Sequence, residues 1–250
     1  MPINKTVLVT GGYTGIGLEV SSNFAKAGAT VIISGRNEED GLLEAEKLLQ
    51  LGFKCSFFKT DIRSEEQVKE LINKIEKNYG SLDYAFNNAG IGGGSLIWEQ
   101  NEEEFLDIFD TNTKGLWLCL KHQLRLMIKK NIKGSIVNNL SVHAQKIIFP
   151  GVAAYAASKH AGLALTKAAA IEAADKGIRI NAVSPGPIDT AMYRNSIKKI
   201  GNEDTWPQLI PSGRVGSTRE VSDVVMWLCS DAASFVNGEV INISGGFSAK

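Results

Sequence analysis

The β-branched run Lys5-Thr-Val-Leu-Val-Thr10 leads directly into Gly11-Gly-Tyr-Thr-Gly15-Ile-Gly17, and a helical pattern, Leu18–Ala27, follows until Gly28. Strand, glycine loop and helix in that order leave a chain few ways to fold. The spacing G-x-x-x-G-x-G permits a tight turn and lets backbone N–H groups approach a pyrophosphate at the positive end of a helix. An ordinary glycine-rich turn would need neither that spacing nor a helix immediately after it.

Strand-like and helix-like segments alternate along the rest of the chain. Thr30–Ser34, Cys55–Lys59, Tyr84–Phe86, Ser135–Asn138, Arg179–Val183 and Val240–Ile243 have strand composition. Glu38–Leu51 and Glu65–Asn78 read as helices between them, and Ala153–Ala174 is rich in strong helix formers without a proline. Ser64-Glu-Glu-Gln67 and Ser217-Thr-Arg-Glu220 have the capping-box pattern. This alternation predicts a Rossmann-like, doubly wound α/β fold, a parallel sheet with helices on both faces and ligands at its carboxyl edge. With no linker, repeat or low-complexity tract, residues 1–250 are expected to form one catalytic domain.

Charge narrows the partners. Lys plus Arg equals Asp plus Glu at 27 each, which argues against nucleic acid. No run reaches membrane-spanning length and the first residues lack a signal-peptide core, so a cytoplasmic location is expected. Cys55, Cys119 and Cys229 are far apart among apolar residues and read as reduced, buried thiols. His122, His143 and His160 have no metal-ligand spacing, so no metal is expected.

Tyr155-Ala-Ala-Ser-Lys159 places a phenol and an ammonium four residues apart on one helix face. A nearby cation favours the phenolate and brings a tyrosine towards working pH, although an amphipathic surface pair has the same spacing. With the glycine loop, Asn87-Asn88-Ala89-Gly90, Asn112, Ser141 and Pro185-Gly186, this segment resembles the short-chain dehydrogenase/reductase family. The order and separation of these motifs over most of the chain carry the resemblance. Leu140 stands where relatives usually have serine, and Ser244 where they commonly have Asp.

The resemblance implies that an alcohol and a ketone or aldehyde are interconverted by hydride transfer. Tyr155 would be the general acid/base, Ser141 the holder of the substrate oxygen, and Lys159 a support for the tyrosine and the nicotinamide ribose. Asn112 would order a water relay, with a structural helix kink as its competing explanation. A 3-oxoacyl thioester or C=C reductase and a non-enzymatic dinucleotide-binding regulator are the alternatives. The intact Ser141, Tyr155 and Lys159 set argues against the last.

For the cofactor, the resemblance assigns Gly11, Thr14, Gly15, Ile16 and Gly17 to the pyrophosphate loop. Asp61 and Ile62 would meet adenine, Asn88, Ala89 and Gly90 the ribose side, and Pro185, Gly186, Ile188 and Thr190 the nicotinamide. NAD-binding folds usually carry an acid at the end of the second strand. Gly35 stands there instead, followed by Arg36 and Asn37 as donors to a 2′-phosphate, which favours NADP(H) over NAD(H). The absence of Lys or Arg from the glycine loop keeps NAD(H) as the alternative.

On the substrate side, Gly92-Gly93-Gly94 reads as a flexible wall, and His143 either as a group that binds a polar part of the substrate or, more commonly at such a position, as an exposed loop histidine. Ile188–Pro211, with Met192, Tyr193, Trp206 and Pro207, reads as a mobile cover for a small-molecule alcohol or carbonyl. A homo-oligomer, most simply a tetramer, is expected. Relatives bury the C-terminal segment and the helices around Leu116 and Ala164 against neighbouring subunits.

Overall fold

The computed structural model describes residues 4–200 and 205–249. Among them, seven strands pair in parallel: β1 (Thr6–Thr10), β2 (Thr30–Gly35), β3 (Lys54–Lys59), β4 (Tyr84–Asn87), β5 (Ser135–Asn139), β6 (Arg179–Pro185) and β7 (Val240–Ile243), in the order β3-β2-β1-β4-β5-β6-β7. The chain winds one way from β1 to β3, returns to place β4 beside β1, and continues the other way. The reversal between β1 and β4 is the switch point at which open α/β sheets bind ligands.

Alternate residues of each strand feed two apolar layers. Leu8, Ile32, Ala85, Ile136 and Ile180 face α3 (Glu65–Tyr79), α5 (Gly115–Lys129) and α6 (Ala153–Glu172). Val7, Val9, Val31, Ile33, Phe86, Val137 and Val183 face α1 (Gly15–Lys26), α2 (Glu38–Gln50) and α9 (Thr218–Cys229). Burial on both faces is why the central strands read as continuous apolar runs.

The helix starts follow their caps. Ser217 and Glu220 form the full capping box of α9. At α3 only half of it forms: Ser64 accepts from the Gln67 N–H, but the Gln67 side chain accepts from the Asp61 N–H at 2.8 Å instead of reaching back. Helix α4 (Glu102–Phe109) runs into a π-turn at Asp110–Lys114 before α5, which puts Asn112 inside a widened helical turn. The expected cover comprises α7 (Ala191–Ile200) and α8 (Thr205–Leu209), while residues 201–204 lie outside the described residues.

A buried polar network crosses the sheet. Asn87 donates to Gln123 and Asn138 at 3.0 Å each, Gln123 donates back at 2.7 Å, and Asn138 donates to Thr166 at 2.9 Å. Asn87 thus ties β4 to β5 and α5, the structural role that its position in a central strand predicts. Each of these four side chains is hydrogen-bonded within the network, whereas the hydroxyls of Ser34 and Ser184 are buried without a partner among the described residues.

Candidate active site at the carboxyl edge of the sheet

The glycine loop is built for backbone approach. Gly11 and Gly15 have φ values of 60° and 53°, and a Cβ on Gly17 would overlap the Gly11 carbonyl. Thr14 precedes α1 without a side-chain cap, and no acid stands in the first turn. The orphan N–H groups of α1 therefore open onto the strand ends, where they suit a pyrophosphate. Gly12 and Tyr13 fill the turn between, and the Tyr13 ring reaches Gly35 at the end of β2.

The predicted residues converge on this edge. The Thr10 hydroxyl accepts the N–H groups of Asn88 and Ala89 at 3.0 and 3.1 Å. The Asn88 amide donates to the carbonyls of Thr10 and Gly11, and its oxygen accepts from Asn139 at 2.9 Å. Gly90 lies over Asn112 and Lys159, and Gly15 lies beside Thr190. Pro185 ends β6, and the Gly186 N–H donates to the Ile243 carbonyl at 2.9 Å. Ile188 is buried and bridges to Gly216, while Ile16 is half-buried against the apolar layer of α1.

Other candidate residues make further contacts within the chain. Asn37 caps α2: its side-chain oxygen accepts from the Asp40 N–H, its amide donates to the Asp40 carboxylate, and its own N–H donates to the Tyr13 hydroxyl at 3.4 Å. Its backbone N–H and one amide hydrogen are thus engaged, whereas Arg36 is exposed and forms no hydrogen bond or ion pair among the described residues. The Asp61 carboxylate is held by the Arg63 backbone and guanidinium at 2.7–3.0 Å, which keeps it ionised below the usual range. Ile62 is buried with Val68, Leu118 and Cys119 and fills the space over Gly115.

At the candidate reaction centre, the Ser141 side chain stands beside the Tyr155 phenol, and its oxygen accepts the His143 N–H at 3.2 Å. The Lys159 ammonium lies 5.7 Å from the Tyr155 ring centroid and donates to the Asn139 carbonyl at 2.9 Å. In the free chain burial pushes the Tyr155 phenol above its ordinary value, against the lowering expected from Lys159; the Ser141 side chain opposes that rise, and the Lys159 ammonium donates to a carbonyl. Asn112 spends its carboxamide on protein: it exchanges two hydrogen bonds with the Ile91 backbone at 2.9 Å and donates to Ser158 at 3.1 Å. The helix-kink explanation of Asn112 is therefore realised in the π-turn.

The substrate side is more ordered than the sequence suggests. Gly94 donates to Glu104 at 3.0 Å, and its Cα abuts the Gly151 carbonyl so closely that a Cβ would overlap it. This pinned segment replaces the flexible wall expected from three glycines. His143 is buried, not exposed, because the 3₁₀ turn Val142–Ala144 folds it inward against Phe149 and Tyr155, 4.7 and 6.1 Å between ring centroids. Burial lowers its pKa, so the ring is neutral near pH 7. Phe247 is buried with Val142, Ile197 and Ile210 of the same chain, and the Ser212 N–H donates to the Gly245 carbonyl at 3.0 Å. The C-terminal segment therefore holds the cover of its own chain.

Known proteins align with this arrangement along nearly its whole length. A family model described as enoyl-(acyl carrier protein) reductase matches residues 11–248. The 2,5-dichloro-2,5-cyclohexadiene-1,4-diol dehydrogenase of Sphingobium indicum is 39% identical over 247 residues, covering 98% of this chain and 97% of the relative. The 3-oxoacyl-[acyl-carrier-protein] reductase of Chlamydia muridarum is 36% identical, covering 98% and 97%. A crystal structure of an actinorhodin polyketide ketoreductase variant with NADPH superposes with a TM-score of 0.94 at 31% identity, covering 99% of this chain and 98% of that one.

Burial of Lys159 has a measurable cost. Desolvation lowers its pKa from 10.5 to about 8. Between those values the unfolded chain holds a proton that the folded chain lacks, so stability rises with pH across that window. Below about pH 8 the charged ammonium is a standing penalty. Lys159→Met should therefore raise the stability of the free protein at pH 7 by about 1–3 kcal/mol, after allowing for the lost hydrogen bond to Asn139. The gain should shrink when both proteins are unfolded at pH 10. Thermal unfolding at the two pH values checks this, and a Lys159→Met protein less stable than its parent at pH 7 contradicts it.

Proposed function

Because the chain belongs to the short-chain dehydrogenase/reductase family, and so is an oxidoreductase acting on CH–OH groups, we propose that Tyr155, Ser141 and Lys159 perform that chemistry with NADP(H) in preference to NAD(H). The observation that carries the reading is the placement of Ser141 beside the Tyr155 phenol with a buried ammonium 5.7 Å from its ring, at the carboxyl edge facing the glycine loop. A nicotinamide dinucleotide, when bound, supplies or accepts the hydride. The residues fitted to hold it are Gly11–Gly17, Arg36, Asn88–Gly90, Lys159 and Pro185–Thr190.

In reduction, the Tyr155 hydroxyl gives its proton to the carbonyl oxygen, and in oxidation it takes the proton back. A phenol raised above 10 is protonated near pH 7, so the free protein is loaded as the acid. Ser141 donates to the same oxygen and offsets developing charge. Lys159 supplies a positive charge behind the phenol as it loses its proton. Asn112 acts as a positioning residue, locking the loop after β4 to α6. Tyr155→Phe should lower kcat by about 100- to 10,000-fold while leaving cofactor affinity within about threefold. Steady-state rates over a panel of ketones and alcohols check this; more than half the parent kcat retained would sink the assignment.

Cyclic alcohols and 3-oxoacyl thioesters are both substrate classes that the relatives' names support, and the same residues serve either. The preference for NADP(H) is supported by the missing acid at position 35 and the unpaired Arg36. A charge-assisted hydrogen bond from Arg36 contributes about 1.5–3 kcal/mol, so NADPH should bind about 10- to 150-fold more tightly than NADH. Arg36→Ala should narrow that gap; equal dissociation constants in the parent protein would refute the preference.

We further infer a cytoplasmic homotetramer. Three free, buried cysteines suit a reducing compartment. Leu116 faces inward, but Trp117 beside it is exposed and borders an open apolar groove with Phe109, Ala161, Ala164 and Leu165. Ile171, Trp227 and Phe235 are exposed as well. Exposed apolar side chains of this kind suit burial between copies, and a dimer of dimers is a simple closed arrangement. Light scattering at micromolar concentration should give about four times the 27.0 kDa chain mass. A fully active monomer would reject the assembly.

A further inference from the structure

Gly35 closes β2, buried and in register with Lys59 of β3. The ring of Tyr13, from the middle of the glycine loop, lies directly over it. A Cβ on residue 35 would overlap the ring at Cε1 and stand 3.0 and 3.1 Å from Cδ1 and Cζ. The ring is fixed from two sides. Phe57 meets it edge-on at 6.1 Å and 86°, and its hydroxyl oxygen accepts the Asn37 N–H at 3.4 Å.

We propose that Tyr13 is a specificity-determining residue for the dinucleotide, acting with Gly35 as one unit. The phenol ring occupies the volume from which a carboxylate at position 35 would have to project towards a ribose 2′-hydroxyl. No acid can stand there while the ring does. The hydroxyl oxygen accepts from Asn37, so its proton remains available as a donor beside Arg36 for a 2′-phosphate. Three neighbouring carboxylates are engaged elsewhere: Glu38 with Lys59 at 3.2 Å, Asp61 with Arg63, and Asp40 with the Asn37 amide. The assignment rests on the NADP(H) preference proposed above, but the coupling between positions 13 and 35 can be tested separately.

The test is fluorescence titration of NADPH and NADH against the parent, Tyr13→Ala, Gly35→Asp and the double variant, with thermal unfolding of each. Gly35→Asp alone should weaken both cofactors more than tenfold or unfold the protein, because the new Cβ must expel the ring. Adding Tyr13→Ala should restore folding and bind NADH at least tenfold more tightly than Gly35→Asp alone. Tyr13→Ala by itself creates no overlap, and it should reduce the NADPH-to-NADH affinity ratio at least fivefold. An unchanged ratio in Tyr13→Ala overturns the donor role. Gly35→Asp that folds and gains NADH as fully as the double variant overturns the coupling. A parent without NADPH preference rejects the cofactor reading, and in that case the NADH affinities of the two Gly35→Asp proteins still decide the coupling.

Discussion

The carboxamide of Asn88 holds the point from which the rest of the site is measured. It sits where strand order reverses, donating to the carbonyls of Thr10 and Gly11 and accepting from Asn139. Diverging crossovers leave a crevice at such a reversal, and its walls would separate if the strand ends were free. Asn88 fixes the ends of β1, β4 and β5 relative to one another. The glycine loop, the Gly90 backbone and the Asn139 carbonyl that receives Lys159 all inherit their positions from that clamp.

Lys159 shows how the fold sustains an unfavourable group. A nearly buried ammonium with one carbonyl partner is a poor stability device, and its depressed pKa records the desolvation. Well-formed apolar layers on both sheet faces can tolerate such a penalty, since hydrophobic burial is spread over many residues. On the proposed mechanism the charge is useful because it stands behind a phenol that gives up a proton, and function would then explain its retention where stability does not.

Much of this was legible in the sequence because the relevant constraints are local. All seven strand runs lie in the sheet, since burial on one or both faces demands apolar, β-branched stretches. The glycine loop and the Tyr155–Lys159 pair were legible for the same reason: spacing along one element determines where they point. What escaped depends on side-chain competition. Asn37 could be a ligand donor or a helix cap, and the Asp40 backbone N–H three residues on decides it. Gln67 could complete a capping box, but the loop N–H of Asp61 was the nearer donor. His143 follows a serine in a segment with no periodicity, so nothing marks that a 3₁₀ turn will bury it. Leu116 and Trp117 are adjacent, and only helix phase tells which faces inward.

The cover and the tail show how contacts distant in sequence can set a property of the site. The segment after β6 leaves the sheet at Pro185–Gly186, where the Gly186 N–H is already bound to the Ile243 carbonyl. It returns at Ser212, whose N–H is bound to Gly245, while Phe247 fills the space among Val142, Ile197 and Ile210. Val142 directly follows Ser141, so the same apolar cluster supports both the cover and the turn that aims the serine hydroxyl. A small shift of the tail would then be felt in two places, the closure over the crevice and the placement of Ser141 beside Tyr155. Ser244 stabilises that geometry locally by accepting the Ser248 N–H at 3.3 Å and sharing a hydrogen bond between the two hydroxyls at 3.0 Å. A serine can thus order the tail where relatives commonly carry Asp, because the turn needs an oxygen acceptor there and not a charge.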